Sequence, residues 1–223
     1  TLSPSSAASD VYKRQNKDMT KLLILGANGQ IAKLVVPMLA NTDVQSTLTS
    51  LHGRSDKNIQ TLDAVNETQL VSMLKDIDIV YANIGAEGRQ KTAANSVVNA
   101  MHLAGVRRLI WVATVGVHDE LPQKQSDLWA NILGTTDNEN TYMGDQAAAV
   151  KRIMTSGLDY TVIRPNELID DNIMQQLTIQ TDPKEIIQGG PVTRVSVAEF
   201  ITQIILNPTT YNSMSVAISN KTN

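Results

Sequence analysis

The chain of 223 residues contains no cysteine. That excludes disulfides, thiolate metal sites and a cysteine nucleophile. Histidine is almost as scarce: His52, His102 and His118 are the only three, and their spacing makes no metal-ligand set. No apolar run approaches the roughly 18 to 20 residues that span a bilayer, so no membrane association is expected. Charge of one sign is also missing. A formal net charge of −3 gives no electrostatic case for nucleic acid. What remains, 42% hydrophobic and 18% charged, suits one globular domain with a real core. A soluble cytoplasmic protein acting on a small molecule, as a monomer or homodimer, is the expectation.

Residues 1–18 read differently: polar, without periodicity, and lacking the apolar core of a signal peptide. They resemble translated adapter or vector sequence, with Met19 a sensible native start, and are expected to be disordered. At the other end, 220–223 reads as a short tail.

The most informative stretch is 21–32, Lys-Leu-Leu-Ile-Leu-Gly-Ala-Asn-Gly-Gln-Ile-Ala. An apolar strand ends in Gly26, Gly29 follows, and a helical stripe of Ile31, Leu34, Val35, Met38 and Leu39 begins at once. This is the grammar of a parallel strand turning into a helix whose start holds a phosphate. Gly26 permits the turn, Gly29 admits a pyrophosphate to the backbone, and small Ala32 allows close packing. Gly26, Asn28, Gly29, Gln30 and Ile31 are therefore candidate contacts to a dinucleotide.

Alternation continues downstream. Strands are expected at about Ser46–Gly53, Ile59–Leu62, Ile77–Asn83, Arg108–Thr114 and Asp159–Arg164, with a stop at Pro165. Helices are expected at about Glu67–Leu74, Gln90–Ala104 and Gly144–Thr155. Residues 165–195 read as a small substrate-side cap of mixed short elements. Ser196 is a candidate cap for a last helix carrying Val197, Phe200, Ile201, Ile204 and Ile205, and Met214–Ile218 a last strand. Parallel strands need crossovers, so this order implies an α/β, Rossmann-type doubly wound parallel sheet, a single domain over 19–219.

The second strand leads to His52-Gly-Arg-Ser-Asp-Lys57. In this fold an acid there binds both ribose hydroxyls and favours NAD, whereas a cation pairs with a 2′-phosphate and favours NADP. Arg54, assisted by Ser55 and Lys57, points to NADP; Asp56 is the counter-argument, and a solvated charged loop is the plainer alternative.

By these features the chain resembles the atypical short-chain dehydrogenase/reductases, in their NmrA-like and flavin/biliverdin-reductase-like branch. The resemblance rests on the 26–32 turn, Asp63, Ala82-Asn-Ile-Gly85, Val112-Ala-Thr-Val-Gly-Val117, the 156–165 stretch ending Ile-Arg-Pro, and Thr193-Arg-Val-Ser-Val-Ala-Glu-Phe200. It implies that Asp63 accepts from the adenine amino group, that Ala64 lines the adenine pocket, and that Asn83 and Gly85 lie under the nicotinamide ribose. It places Thr114 at the usual hydroxyl position, and Tyr142 and Gln146 where a Tyr and a Lys four residues apart normally stand.

Gln146 supplies no positive charge to lower the tyrosine pKa, so alcohol oxidation and sugar-nucleotide epimerisation or dehydration are disfavoured. Hydride transfer from NADPH to an electron-poor quinone, flavin or enone remains, with His118 a substitute proton donor. A non-catalytic NADP(H) sensor is the alternative reading. Tyr142 as a packing residue, Asp63 as a local turn residue and His118 as a solvated loop residue are the plainer roles.

Overall fold

The computed structural model describes residues 19–85 and 88–222. The expectation for 1–18 lies outside the described residues. The chain runs β1 (Thr20–Leu25), α1 (Ala32–Met38), β2 (Val44–Ser50), β3 (Ile59–Thr61), α2 (Glu67–Met73) and β4 (Ile79–Ala82). It continues through α3 (Gln90–Ala104), β5 (Arg108–Val112), α4 (Gln123–Leu133), α5 (Tyr142–Met154) and β6 (Asp159–Pro165). After β7 (Leu168–Ile169), β8 (Leu177–Gln180) and β9 (Val192–Thr193) come α6 (Arg194–Leu206) and β10 (Met214–Asn220).

Eight strands form one sheet in the order β3-β2-β1-β4-β5-β6-β10-β8, parallel throughout except for β8 against β10. Strand side chains alternate between two covered faces, which is why the strands are apolar on both sides. Leu23 and Leu25 of β1 join Val97, Val98 and Met101 of α3 and Val150 of α5 on one face. Leu22 and Ile24 join Val35 of α1 and Val197, Ile201 and Ile204 of α6 on the other. Truncating one such leucine to alanine costs about 2–5 kcal/mol.

Named side chains fix four of the helix starts, those of α2, α3, α5 and α6. Asn66 caps α2 by accepting from the Gln69 N–H at 3.0 Å. Helix α3 has no cap of its own; Asp145, buried on α5, accepts from the Gln90 and Lys91 N–H groups at 2.8 and 2.9 Å and so locks the two helices together.

Several expected boundaries move. Strand β2 starts at Val44 and stops at Ser50, short of Gly53, because residues 55–57 form a turn of 3-10 helix and Arg54 pairs with Ile59. Pro165 ends β6 from inside the strand, opposite Ile218. The last helix is capped by Thr193, not Ser196: the Thr193 hydroxyl accepts from the Ser196 N–H at 3.3 Å. Helix α4 has no counterpart among the expected elements.

Candidate functional site

The strand order reverses between β1 and β4, where their neighbours diverge and a crevice opens at the carboxyl ends. Here lies a cavity of about 500 Å³, a size that suits a cofactor. The turn from β1 into α1 forms its floor. Gly26 has a φ of +84°, and a Cβ there would lie 2.2 Å from the Asn83 carbonyl oxygen. At Gly29 a Cβ would lie 2.3 Å from the Asn83 side-chain nitrogen. Close approach of the Asn83 backbone, just after β4, therefore already requires Gly26, whereas at Gly29 the nearest atom is the end of a side chain that can move. The N–H groups of Gln30 and Ile31 donate to no protein group among the described residues, which leaves them for an anion.

Asn28 ties this turn to the end of β2, donating to the Ser50 hydroxyl at 2.9 Å and the His52 carbonyl at 2.7 Å. Its buried Oδ1 has no partner. At the far side of the cavity Gln146, 4% exposed, likewise leaves Oε1 without a partner. Buried acceptors without donors are costly. Both residues line the cavity, and a rotation of either amide would present an acceptor to a hydroxyl-bearing ligand such as a ribose.

Of the residues singled out in the sequence, Gly26, Asn28, Gly29, Gln30, Ile31, Asp63, Ala64, Asn83, Gly85, Tyr142 and Gln146 all line the cavity. Asp63 does so in company. Arg89 Nη2 donates to both of its carboxylate oxygens at 2.9 Å, and the Val65 N–H adds a third bond. The Arg89 guanidinium holds the Asp63 carboxyl below its ordinary pKa. Tyr142 is 36% exposed, with its pKa raised by burial and lowered in part by the neighbouring Gln146 amide. It is thus a group that stays protonated at neutral pH.

Four residues lie elsewhere. Arg54 and Ser55 are exposed beyond the end of β2, outside the lining, and Arg54 Nη2 is paired with Asp56 at 2.8 Å. Thr114 follows Val112 and Ala113, which line the cavity, but is itself set back from it. His118 is furthest from expectation. Its Nε2 meets the Ser215 hydroxyl at 2.9 Å, and its N–H donates to Glu120 Oε2 at 2.8 Å. Glu120 and Arg164, both fully buried, form an ion pair beside it. Burial first, then the Arg164 charge, lowers the His118 pKa. This histidine belongs to a packed polar network and does not line the cavity.

Two lining arginines went unassigned in the sequence. Arg89 precedes α3 and Arg194 opens α6. The Thr193–Phe200 stretch that carries Arg194 stood out as family-like, but nothing local shows that it reaches the site.

Sheet order, glycine turn and crevice together define a dinucleotide-binding protein of the Rossmann type. The chain belongs to the NAD(P)H-binding family, whose model matches residues 26–208. No curated protein matches it in sequence. Among solved structures it is similar to a Rossmann-fold NAD(P)-binding family protein from Shigella flexneri, with 29% identity over 92% of this chain and 98% of that one, and a TM-score of 0.69. A short-chain dehydrogenase/reductase of wide type from Veillonella parvula, solved in complex with NADP, shares 21% identity over 90% and 94% of the two chains, with a TM-score of 0.74. ChuY, an anaerobillin reductase from Escherichia coli O157:H7, shares 18% over 92% and 98%, with a TM-score of 0.72. The last two likenesses are of fold. Among the described residues no helix is long and apolar enough to cross a membrane.

Proposed function

We propose that this protein is an NADPH-dependent oxidoreductase that reduces a small electron-poor acceptor of quinone, flavin or enone type. The observation that carries this reading is the one cavity that the β1 turn, the Asp63–Arg89 pair and Tyr142 with Gln146 line together. Gly26, Gly29 and the free N–H groups of Gln30 and Ile31 cradle the pyrophosphate. Asp63 and Ala64 face the adenine, and Asn28, Asn83, Gly85 and Gln146 face the riboses. Bound there, a reduced nicotinamide supplies the hydride.

The protein's own part is to position the acceptor and exclude competing reactions. Gln146 beside Tyr142 carries no charge, so no tuned base is present and alcohol oxidation is disfavoured. An activated acceptor takes two electrons as hydride and collects its proton from water. NADPH is preferred to NADH because the end of β2 presents Thr49, Ser50, Leu51 and His52 to the cavity and no carboxylate. Arg54 lies two residues further on. Its pair with Asp56 is exposed on both sides, and such pairs are weak enough for a 2′-phosphate to displace.

A second reading, an NADP(H)-sensing protein without turnover, is favoured by one feature, the uncharged Gln146 beside Tyr142. Oxidation of NADPH by menadione, FMN and a conjugated enone separates the two. Acceptor-dependent loss of NADPH absorbance, abolished by filling the cavity, supports the enzyme. Tight NADPH binding with no oxidation by any acceptor class supports the sensor.

A further inference from the structure

Arg194 is the one cation facing the cavity with no counter-charge inside it among the described residues. Arg89 is the other lining arginine, and it is already neutralised by Asp63, the one lining carboxylate. The Arg194 side chain is only 19% exposed, yet its ion-pair partner Asp170 is 78% exposed, at 2.8 Å. Only Nη1 is used in that contact, so Nε and Nη2 have no partner among the described residues. The position also works against the fold. Arg194 is the first residue of α6, where the helix dipole disfavours a cation, and the first turn holds no acid to offset it.

We propose that Arg194 is the anion receptor of this cavity, its unused guanidinium edge donating two parallel hydrogen bonds to an anionic oxygen group. That group is either the cofactor pyrophosphate or an acidic substituent on the acceptor. Asp170 holds the side chain in place from the solvent side and yields to the ligand. The proposal rests on the reading of this cavity as a NADPH and acceptor site, and it adds a charge requirement to that reading.

The test uses the full chain and Arg194→Gln, with calorimetric titration of NADPH, NADH and inorganic pyrophosphate, and steady-state kinetics with a naphthoquinone sulfonate and neutral menadione. If the pyrophosphate is the partner, the Kd for NADPH and NADH rises about tenfold or more and the two quinones are affected alike. If the acceptor is the partner, cofactor Kd is unchanged and KM rises about tenfold for the sulfonate alone. Unchanged cofactor Kd together with unchanged discrimination between the quinones, in a protein that binds NADPH, overturns the proposal and leaves the NADPH reading standing. A wild-type protein that binds no NADPH removes that reading. Arg194-dependent binding of inorganic pyrophosphate would then still support the receptor, and its absence would overturn it. Asp170→Asn guards against a folding artefact: removing the competing carboxylate tightens the same ligand about two- to fivefold, and unchanged or weaker binding overturns the proposal.

Discussion

Gly26 and Gly85 both border the cavity, yet the structure gives them opposite roles. Replacing Gly26 with alanine puts a Cβ 2.2 Å from the Asn83 carbonyl oxygen and 2.9 Å from its carbon, backbone atoms that cannot rotate away. The residue must also hold a φ of +84°, which costs an L-residue about 1–2 kcal/mol. Overpacking against a fixed wall adds about 1–3 kcal/mol. The sum, about 2–5 kcal/mol, corresponds to a fall in Tm of about 4–20 °C for a domain of this size. At Gly85 a Cβ meets nothing within 4 Å among the described residues, and no positive φ strains the backbone. Gly85→Ala is therefore expected to change stability by less than about 0.5 kcal/mol, as at an ordinary surface site, and to show its effect in ligand affinity. Thermal unfolding of both variants without ligand is the assay. An unchanged Tm for Gly26→Ala, or a loss of several degrees for Gly85→Ala, would refute the assignment of one glycine to the fold and the other to the ligand.

Arg54→Ala is expected to weaken NADPH relative to NADH, about tenfold or more in Kd ratio; equal losses for both cofactors, measured by titration, would remove Arg54 as the 2′-phosphate contact. Tyr142→Phe should leave kcat with a quinone within about twofold and its pH profile flat, since hydride transfer to an activated acceptor needs no tuned acid; a large loss in kcat would make Tyr142 the proton donor. His118, with its pKa lowered by burial and Arg164, stays neutral in the fold while the unfolded chain takes up a proton. Its contribution to stability is complete above the unfolded value of about 6.5 and declines below it, by at most about 1.4 kcal/mol per pH unit, until the lower folded pKa is passed. Urea midpoints at pH 7.5 and 5.5 should therefore differ less in His118→Gln than in the wild type (both pH values are about one unit from the reference pKa); an equal difference would show that other groups carry the acid limb.

The sequence revealed most where a single physical pattern dominates. The β1 turn was legible because glycine spacing, the strand before it and the helix after it agree. Helix α3 was read with both ends at their observed residues, since Ala94, Val97, Val98 and Met101 mark a buried stripe. The end of β2 was misplaced, three residues too late, because what stops it, the turn over 55–57 and the pairing of Arg54 with Ile59, leaves no mark in the residues before Gly53. Helix α4 was invisible for a different reason: none of its residues is buried, and Trp129 and Leu133 are only partly covered. Spatial convergence was the other limit. Arg89 and Arg194 lie 105 positions apart (194 − 89) and meet the same cavity only through the sheet order. His118 was misjudged for the same reason, since its partner Ser215 lies 97 residues downstream.

The most direct test is calorimetric titration of the full chain with NADPH and, separately, with NADH. The account predicts one site per chain for both, in the same cavity, with NADPH the tighter ligand. Binding of neither would contradict it, leaving the glycine turn an element of the fold alone and the oxidoreductase reading without support.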